Sequence, residues 1–175
     1  MEKILPVKLF AAVLFREPVA LDSCCEALAR AFGRVDYQSP ASPFNVTDYY
    51  EKEMGTPLSR TLISFENHVQ PSALPDIKLK SVAIEESLCR GGKRTVNIDT
   101  GYLDFDKVVL ASTKKGPYKI CMEKGIWADM TLHYEKGTFL PFAWTFADFR
   151  DGRYNPYLLR IRELYKKGCH QDLQA

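Results

Sequence analysis

Val7-Lys8-Leu9-Phe10-Ala11-Ala12-Val13-Leu14-Phe15 is the stretch on which the fold turns. A run so nearly continuous in apolar side chains, closed by Arg16-Glu17, reads as a strand buried on both faces of a sheet. Pro18 follows, at a first helical position where its missing N–H costs nothing. Leu21, Cys24 or Cys25, Leu28 and Phe32 then recur at helical spacing, and Gly33 supplies the stop. Val35 to Gln38 reads as a second, short strand.

Beyond a breaker-rich stretch, Arg60 to Glu66 reads as a strand. Ser72 is placed to cap a helix carrying Leu74, Ile77, Ile84 and Leu88 on one face and ending at Gly91-Gly92. Thr95 to Leu103 is the next strand. The order β-α-β-β-α-β suits a split βαβ, ferredoxin-like unit: an antiparallel sheet with its helices on one face. Further on, Phe105 to Ser112 is expected as a short helix. Lys119 to Met122, Ile126 to Tyr134 and Thr138 to Trp144 read as a meander turned at Lys124-Gly125 and Lys136-Gly137. Asn155-Pro156 opens a last helix with Leu158, Ile161, Leu164 and Tyr165, expected to stop at Gly168.

The fold class is therefore α+β: one domain over 1–175, with a ferredoxin-like βαββαβ half at 6–104. A C-terminal antiparallel β-meander and final helix occupy 105–168, and a frayed tail 169–175. The composition agrees with one packed domain: 175 residues, 46% hydrophobic and 12% aromatic, enough to bury roughly two thirds of the unfolded surface.

Charge is balanced, with 24 basic and 22 acidic residues, so the chain as a whole makes no electrostatic footprint for nucleic acid or acidic membrane. Five cysteines, at 24, 25, 89, 121 and 169, show neither Cys-x-x-Cys spacing nor an even count, which argues against a disulfide framework and a zinc ribbon. The N-terminal apolar run is interrupted by Pro6 and Lys8 and lacks a small-residue cleavage site, and no stretch of about 18 apolar residues occurs anywhere. The expectation is a cytoplasmic protein with no membrane span.

Established catalytic motifs fail on inspection. A phosphate loop needs glycine five residues before its Gly-Lys and Ser or Thr after it, yet Gly92-Lys93 has Ser87 and Arg94 there. Asn97-Ile98-Asp99 lacks the lysine of a guanine-reading Asn-Lys-x-Asp. No Gly-x-Ser-x-Gly elbow exists, and His68, His133 and His170 are too scattered for a three-histidine zinc site. His133, in an alternating strand, reads as a partly exposed strand residue. Neither a metal nor a cofactor is expected. Carboxylates abound, but spacing places no two of them within acid/base reach.

Four clusters carry chemistry. In Asn97-Ile98-Asp99-Thr100-Gly101-Tyr102, alternation points Asn97 and Asp99 the same way, either into a polar pocket or onto local turn backbone. Ser112-Thr113-Lys114-Lys115-Gly116, at the exit of the expected helix, offers hydroxyls and ammonium groups to an anion, or is a solvated loop. Thr47 to Gly55 sets Asp48 and Glu51 as a capping box, while the paired Tyr49 and Tyr50 could wall a pocket or stack on a base. Trp144 to Arg150 alternates aromatics with Thr145, Asp148 and Arg150, as a lid, an interface or a core edge. The ligand-binding candidates are Asn97, Asp99, Tyr102, Lys114, Asp48, Tyr49, Tyr50, Glu53, Trp144 and Asp148.

The same clusters carry a resemblance. Pro43 to Gly55, Asp76 to Lys80, Asn97 to Leu103, Leu110 to Lys114 and Trp144 to Phe149 are together similar to a bacterial family catalogued as domain of unknown function 4416, over about Pro6 to Leu164. The resemblance implies little about activity. Some members are labelled GTP-binding, a label that the residues here do not support. Where the family's pattern implies a His-Arg pair, this chain has Tyr118-Lys119, so no catalytic role carries over to a histidine there. Three functions stay open: binding of a small anionic metabolite or nucleotide, by an enzyme or otherwise; a protein-interaction module with aromatics of 144–149 exposed; and RNA binding beside Lys114, Lys115 and Lys119. The polar content of the motifs favours the first.

Overall fold

The computed structural model describes residues 4–172, with side chains through Cys169. In chain order they form β1 (Val7–Phe15), α1 (Pro18–Phe32), β2 (Val35–Gln38), β3 (Ser42–Phe44), α2 (Glu51–Met54), β4 (Leu58–Val69), α3 (Leu74–Ser87), β5 (Val96–Leu103), β6 (Lys107–Ser112), β7 (Lys119–Cys121), β8 (Trp127–Glu135), β9 (Thr138–Pro141), α4 (Ala147–Arg150) and α5 (Asn155–Asp172). The architecture is mixed α+β around one large antiparallel sheet. Its order is β2-β4-β1-β5-β6-β8-β7, with β3 added on β4 and β9 on β8.

Every residue of β1 is buried, as its apolar run requires, because helices cover both faces. Leu9, Ala11, Val13 and Phe15 meet Leu21, Cys24 and Leu28 of α1 and Ile77 of α3. Phe10 and Ala12 meet Leu158, Ile161 and Tyr165 of α5 on the other side. Leu14, at the end of that second face, packs with Phe44, Met54 and Leu58. The aromatic stretch between β2 and β4 thus closes the part of the sheet that α5 does not reach.

Several expected boundaries are corrected. Residues Phe105 to Ser112 are not a helix: Lys107–Ser112 is strand β6, antiparallel to β5. The Asp104 carboxylate accepts the N–H groups of Asp106 and Lys107, turning the chain tightly, and Val108-Val109 favours the extended state that follows. Ser72 does not cap α3, whose N-cap is Ala73 after a 3₁₀ turn at Pro71–Ala73. The helix ends at Ser87. Gly91-Gly92 forms instead a two-residue turn, closed by reciprocal backbone bonds between Arg90 and Lys93, with both glycines at positive φ. Asp48 and Glu51 form no capping box; the Asp48 carbonyl accepts the Glu51 N–H. α5 passes through Gly168 to Asp172, so 169–172 are helical; 173–175 lie outside the described residues.

The two expected Lys-Gly turns and the start of the last helix hold. Lys124-Gly125 and Lys136-Gly137 are at positive φ in tight turns. α5 starts at Asn155, whose side chain accepts the Phe139 N–H and donates to Thr138 Oγ1, anchoring the helix to β9. No helix among the described residues is long and apolar enough to cross a membrane.

Candidate functional site

The two halves of the sheet are joined by a short ladder: Gly101↔Leu110, Tyr102↔Val109 and Leu103↔Val108. Beyond Gly101 the strands part. The first half of β5 stays with β1, while Ala111 and Ser112 of β6 stay with β8. Gly101 stands at the fork, where a Cβ would meet the Val109 carbonyl oxygen at 2.3 Å. In the gap, side chains of α3 take over the bonds that β6 no longer supplies to Ile98. Lys78 Nζ donates to the Ile98 carbonyl at 2.7 Å, and the Glu85 carboxylate accepts the Ile98 N–H. This splitting opens a cleft.

The cleft has two adjoining lobes. A polar lobe of about 200 Å³ lies at the fork, between α3, β5, β6 and the segment after β6. An aromatic lobe of about 410 Å³ lies beside it, walled by Phe44, Val46, Tyr50 and Phe146. Tyr49, Tyr50, Asp99, Leu110, Lys114 and Phe146 line both. Together they have the size of a small-molecule site.

The polar lobe is built around two anchored cations. Glu53 grips Arg94 through both carboxylate oxygens, accepting from Nε at 2.9 Å and Nη2 at 2.6 Å. Arg94 Nη1 then donates to Asn97 Oδ1 at 2.8 Å. An arginine has only donors, so this bond fixes which end of the amide faces it. Asn97 Nδ2 is thereby turned elsewhere; it is buried and has no partner. On the facing wall, Lys119 Nζ donates to Ser112 Oγ at 2.9 Å and stands 3.7 Å from Asp129. Burial pushes the Asp129 carboxyl above its ordinary range, and the Glu85 carboxyl likewise.

At the mouth, Lys114 Nζ donates to Tyr49 Oη at 2.7 Å and draws that phenol's pKa down. Tyr50, pushed up to about 12 chiefly by burial, stays neutral beneath it. The floor of the aromatic lobe is a buried ionic cluster. Arg60 Nη1 donates to Asp148 at 2.6 Å and Nη2 to Asp99 at 3.0 Å. Arg60 and Asp99 stand on strands either side of β1, and the small Ala12, paired with Asp99, leaves room for the guanidinium to cross.

Of the ten candidates, Asn97, Asp99, Tyr49, Tyr50, Lys114 and Asp148 converge on this cleft. Glu53 acts behind it, through Arg94. Three lie elsewhere. Asp48 lines a separate surface hollow with Pro43 and Thr56. Tyr102 has the opposite parity to Asn97 and packs beside Val109 and Ala111. Trp144 donates its indole N–H to the Met130 carbonyl and stacks between Tyr118 and Phe142. Lys114 leaves a strand, not a helix, so no helix dipole holds it. His133 is a half-buried strand residue 3.7 Å from Glu135.

Sequence reasoning missed Arg60, Arg94, Lys78 and Glu85. Arg60 was the legible one, since it shares the parity of buried Leu58 and Leu62, where a charge needs a partner. Among the described residues, no His, Cys, Asp and Glu side chains cluster as metal ligands do.

A family model described as a domain of unknown function (DUF4416) matches residues 5–165. Neither the curated proteins nor the solved structures include a match to the chain.

Proposed function

Since the chain belongs to the family of domain of unknown function 4416, whose description carries no activity, we propose a function from the cleft itself: it binds a small anionic metabolite or nucleotide. One observation carries the reading. Asn97 offers a buried donor with no acceptor, in a lobe that also gathers Lys114, Lys119 and Arg94 from separate parts of the chain. A buried donor left unmade is costly, roughly 1–3 kcal/mol, and an anion's oxygen satisfies it. Lys114 and Lys119 meet the charge, Ser112 and Thr113 add hydroxyls, and the aromatic lobe receives the apolar body. The anion need not be an enzyme's substrate.

The same reading takes residues 6–104 as a ferredoxin-like βαββαβ unit. The antiparallel order β2-β4-β1-β5, with α1 and α3 on one face, supports it. Binding of RNA finds less support, because Glu85, Asp99, Asp129 and Asp148 line the cleft and repel a polyanion. A protein-interaction surface has one observation in its favour: Tyr118, stacked on Trp144, and Ile120 of edge strand β7 are strongly exposed.

A thermal-shift screen of the purified protein against phosphorylated metabolites, nucleotides and carboxylates tests the proposal. A ligand at about a hundred times its dissociation constant adds roughly 2.7 kcal/mol, or about 5–10 °C for a domain of this size. The expected hit is lost in Lys114→Ala, a variant whose own stability stays near wild type. A clean negative across the panel transfers the argument to the β7 surface.

A further inference from the structure

The charges of the cleft are sorted. At the floor of the aromatic lobe, Arg60 lies between Asp99 and Asp148, one guanidinium for two carboxylates. Arg60 and Asp148 are 4% and 3% exposed at their side chains, and Asp99 is 28% exposed, toward the cleft that it lines. Among the described residues no second cation pairs with either carboxylate. The cluster therefore holds one negative charge in excess at a largely desolvated floor, where an unbalanced carboxylate is costly. The surrounding rings favour positive charge: Phe44, Tyr49, Tyr50 and Phe146 each already draw a protein cation to within 6 Å of the ring centre. The polar lobe has the opposite need, with Lys114 and Lys119 beside the unpartnered donor of Asn97. Asp99 and Lys114 both line both lobes, so one small molecule reaches both.

We infer that the ligand is a zwitterion, whose cationic amine meets Asp99 at the aromatic lobe while its anionic group lies among Lys114, Lys119 and Asn97. The inference rests on the reading of the cleft as an anion site and adds to it the second, opposite charge. It also explains why four carboxylates line a site that receives an anion: they hold the protein's own cations and leave one negative charge for the ligand's.

Matched probes separate the two claims. Calorimetric titration compares phosphoethanolamine with ethyl phosphate, and γ-aminobutyrate with butyrate, against wild type, Asp99→Asn and Lys114→Met. Asp99→Asn leaves Arg60 paired with Asp148 in a balanced couple, so the fold is kept. The expected result is that the amine-bearing member of a pair binds roughly tenfold tighter or more, the return on one charge-assisted hydrogen bond. That preference disappears in Asp99→Asn, whereas Lys114→Met weakens both members alike. Equal binding within each pair, or a preference that survives Asp99→Asn, overturns the zwitterion and leaves the anion site standing. If none of the four probes binds, nor inorganic phosphate, both claims fall.

Discussion

Gly101→Ala tests the account of the fork. The backbone of Gly101 is not in the left-handed region, so alanine meets no torsional strain there. The obstacle is contact: the added Cβ would lie 2.3 Å from the Val109 carbonyl oxygen, 2.8 Å from Leu110 Cδ2 and 3.1 Å from Leu110 Cα. The first distance is roughly 1 Å short of an ordinary contact, and the atom is backbone that no rotamer change can move. β5 and β6 must separate at the first pair of the ladder joining the two halves of the sheet. Overpacking of this kind costs about 1–3 kcal/mol, which lowers the midpoint by about 2–12 °C in a domain of this length. Gly116→Ala is the control, because its Cβ meets only the flexible Lys119 chain at 3.2 Å or more, and it is expected within about 0.5 kcal/mol of wild type. Thermal and urea unfolding followed by circular dichroism measure both. A Gly101→Ala variant as stable as the Gly116→Ala control would refute the close approach of the strands.

Arg60→Met strands Asp148 without its partner and is expected to cost about 3–5 kcal/mol; adding Asp148→Asn recovers much of that, and strict additivity in urea melts would deny the pair. Cys89 and Cys121 are exposed, whereas burial removes Cys24 from solvent and pushes its thiol up to about 12. Ellman's reagent should therefore label the first two at once and Cys24 only after denaturation; rapid labelling of Cys24 in the native protein contradicts its burial. Burial raises the Glu85 carboxyl above its unfolded value, so its charge opposes folding above the folded pKa, and that opposition is relieved as pH falls through it. Relative to wild type, Glu85→Gln should thus be favoured more at pH 8 than at about pH 5, and a difference independent of pH rejects the shift.

Local pattern made much of the fold legible. β1 announced itself because a central strand is apolar on both faces, and the Lys-Gly turns because positive φ selects residue type. Phe105 to Ser112 misled because a short apolar run does not distinguish helix from strand; the Asp104 turn decides. Gly91-Gly92 likewise reads equally well as a helix stop or a hairpin turn. For the site, alternation in β5 correctly aligned Asn97 with Asp99, and Lys114 met Tyr49 across 65 positions of chain. Arg94 and Glu85 were invisible because their roles depend on partners brought together by the parting of β5 from β6, which no local spacing encodes.

The central claim, an anion held at the fork, is tested most directly by a two-dimensional ¹⁵N–¹H NMR titration with inorganic phosphate and phosphoethanolamine. The side-chain amide of Asn97, assigned by its loss in Asn97→Ala, reports on the unmatched buried donor among the residues that line the polar lobe. The account predicts saturable shifts of that amide, together with the backbone of Arg94 to Asp99 and Leu110 to Lys114. An unmoved Asn97 amide, with any shifts scattered over other surfaces, would contradict it.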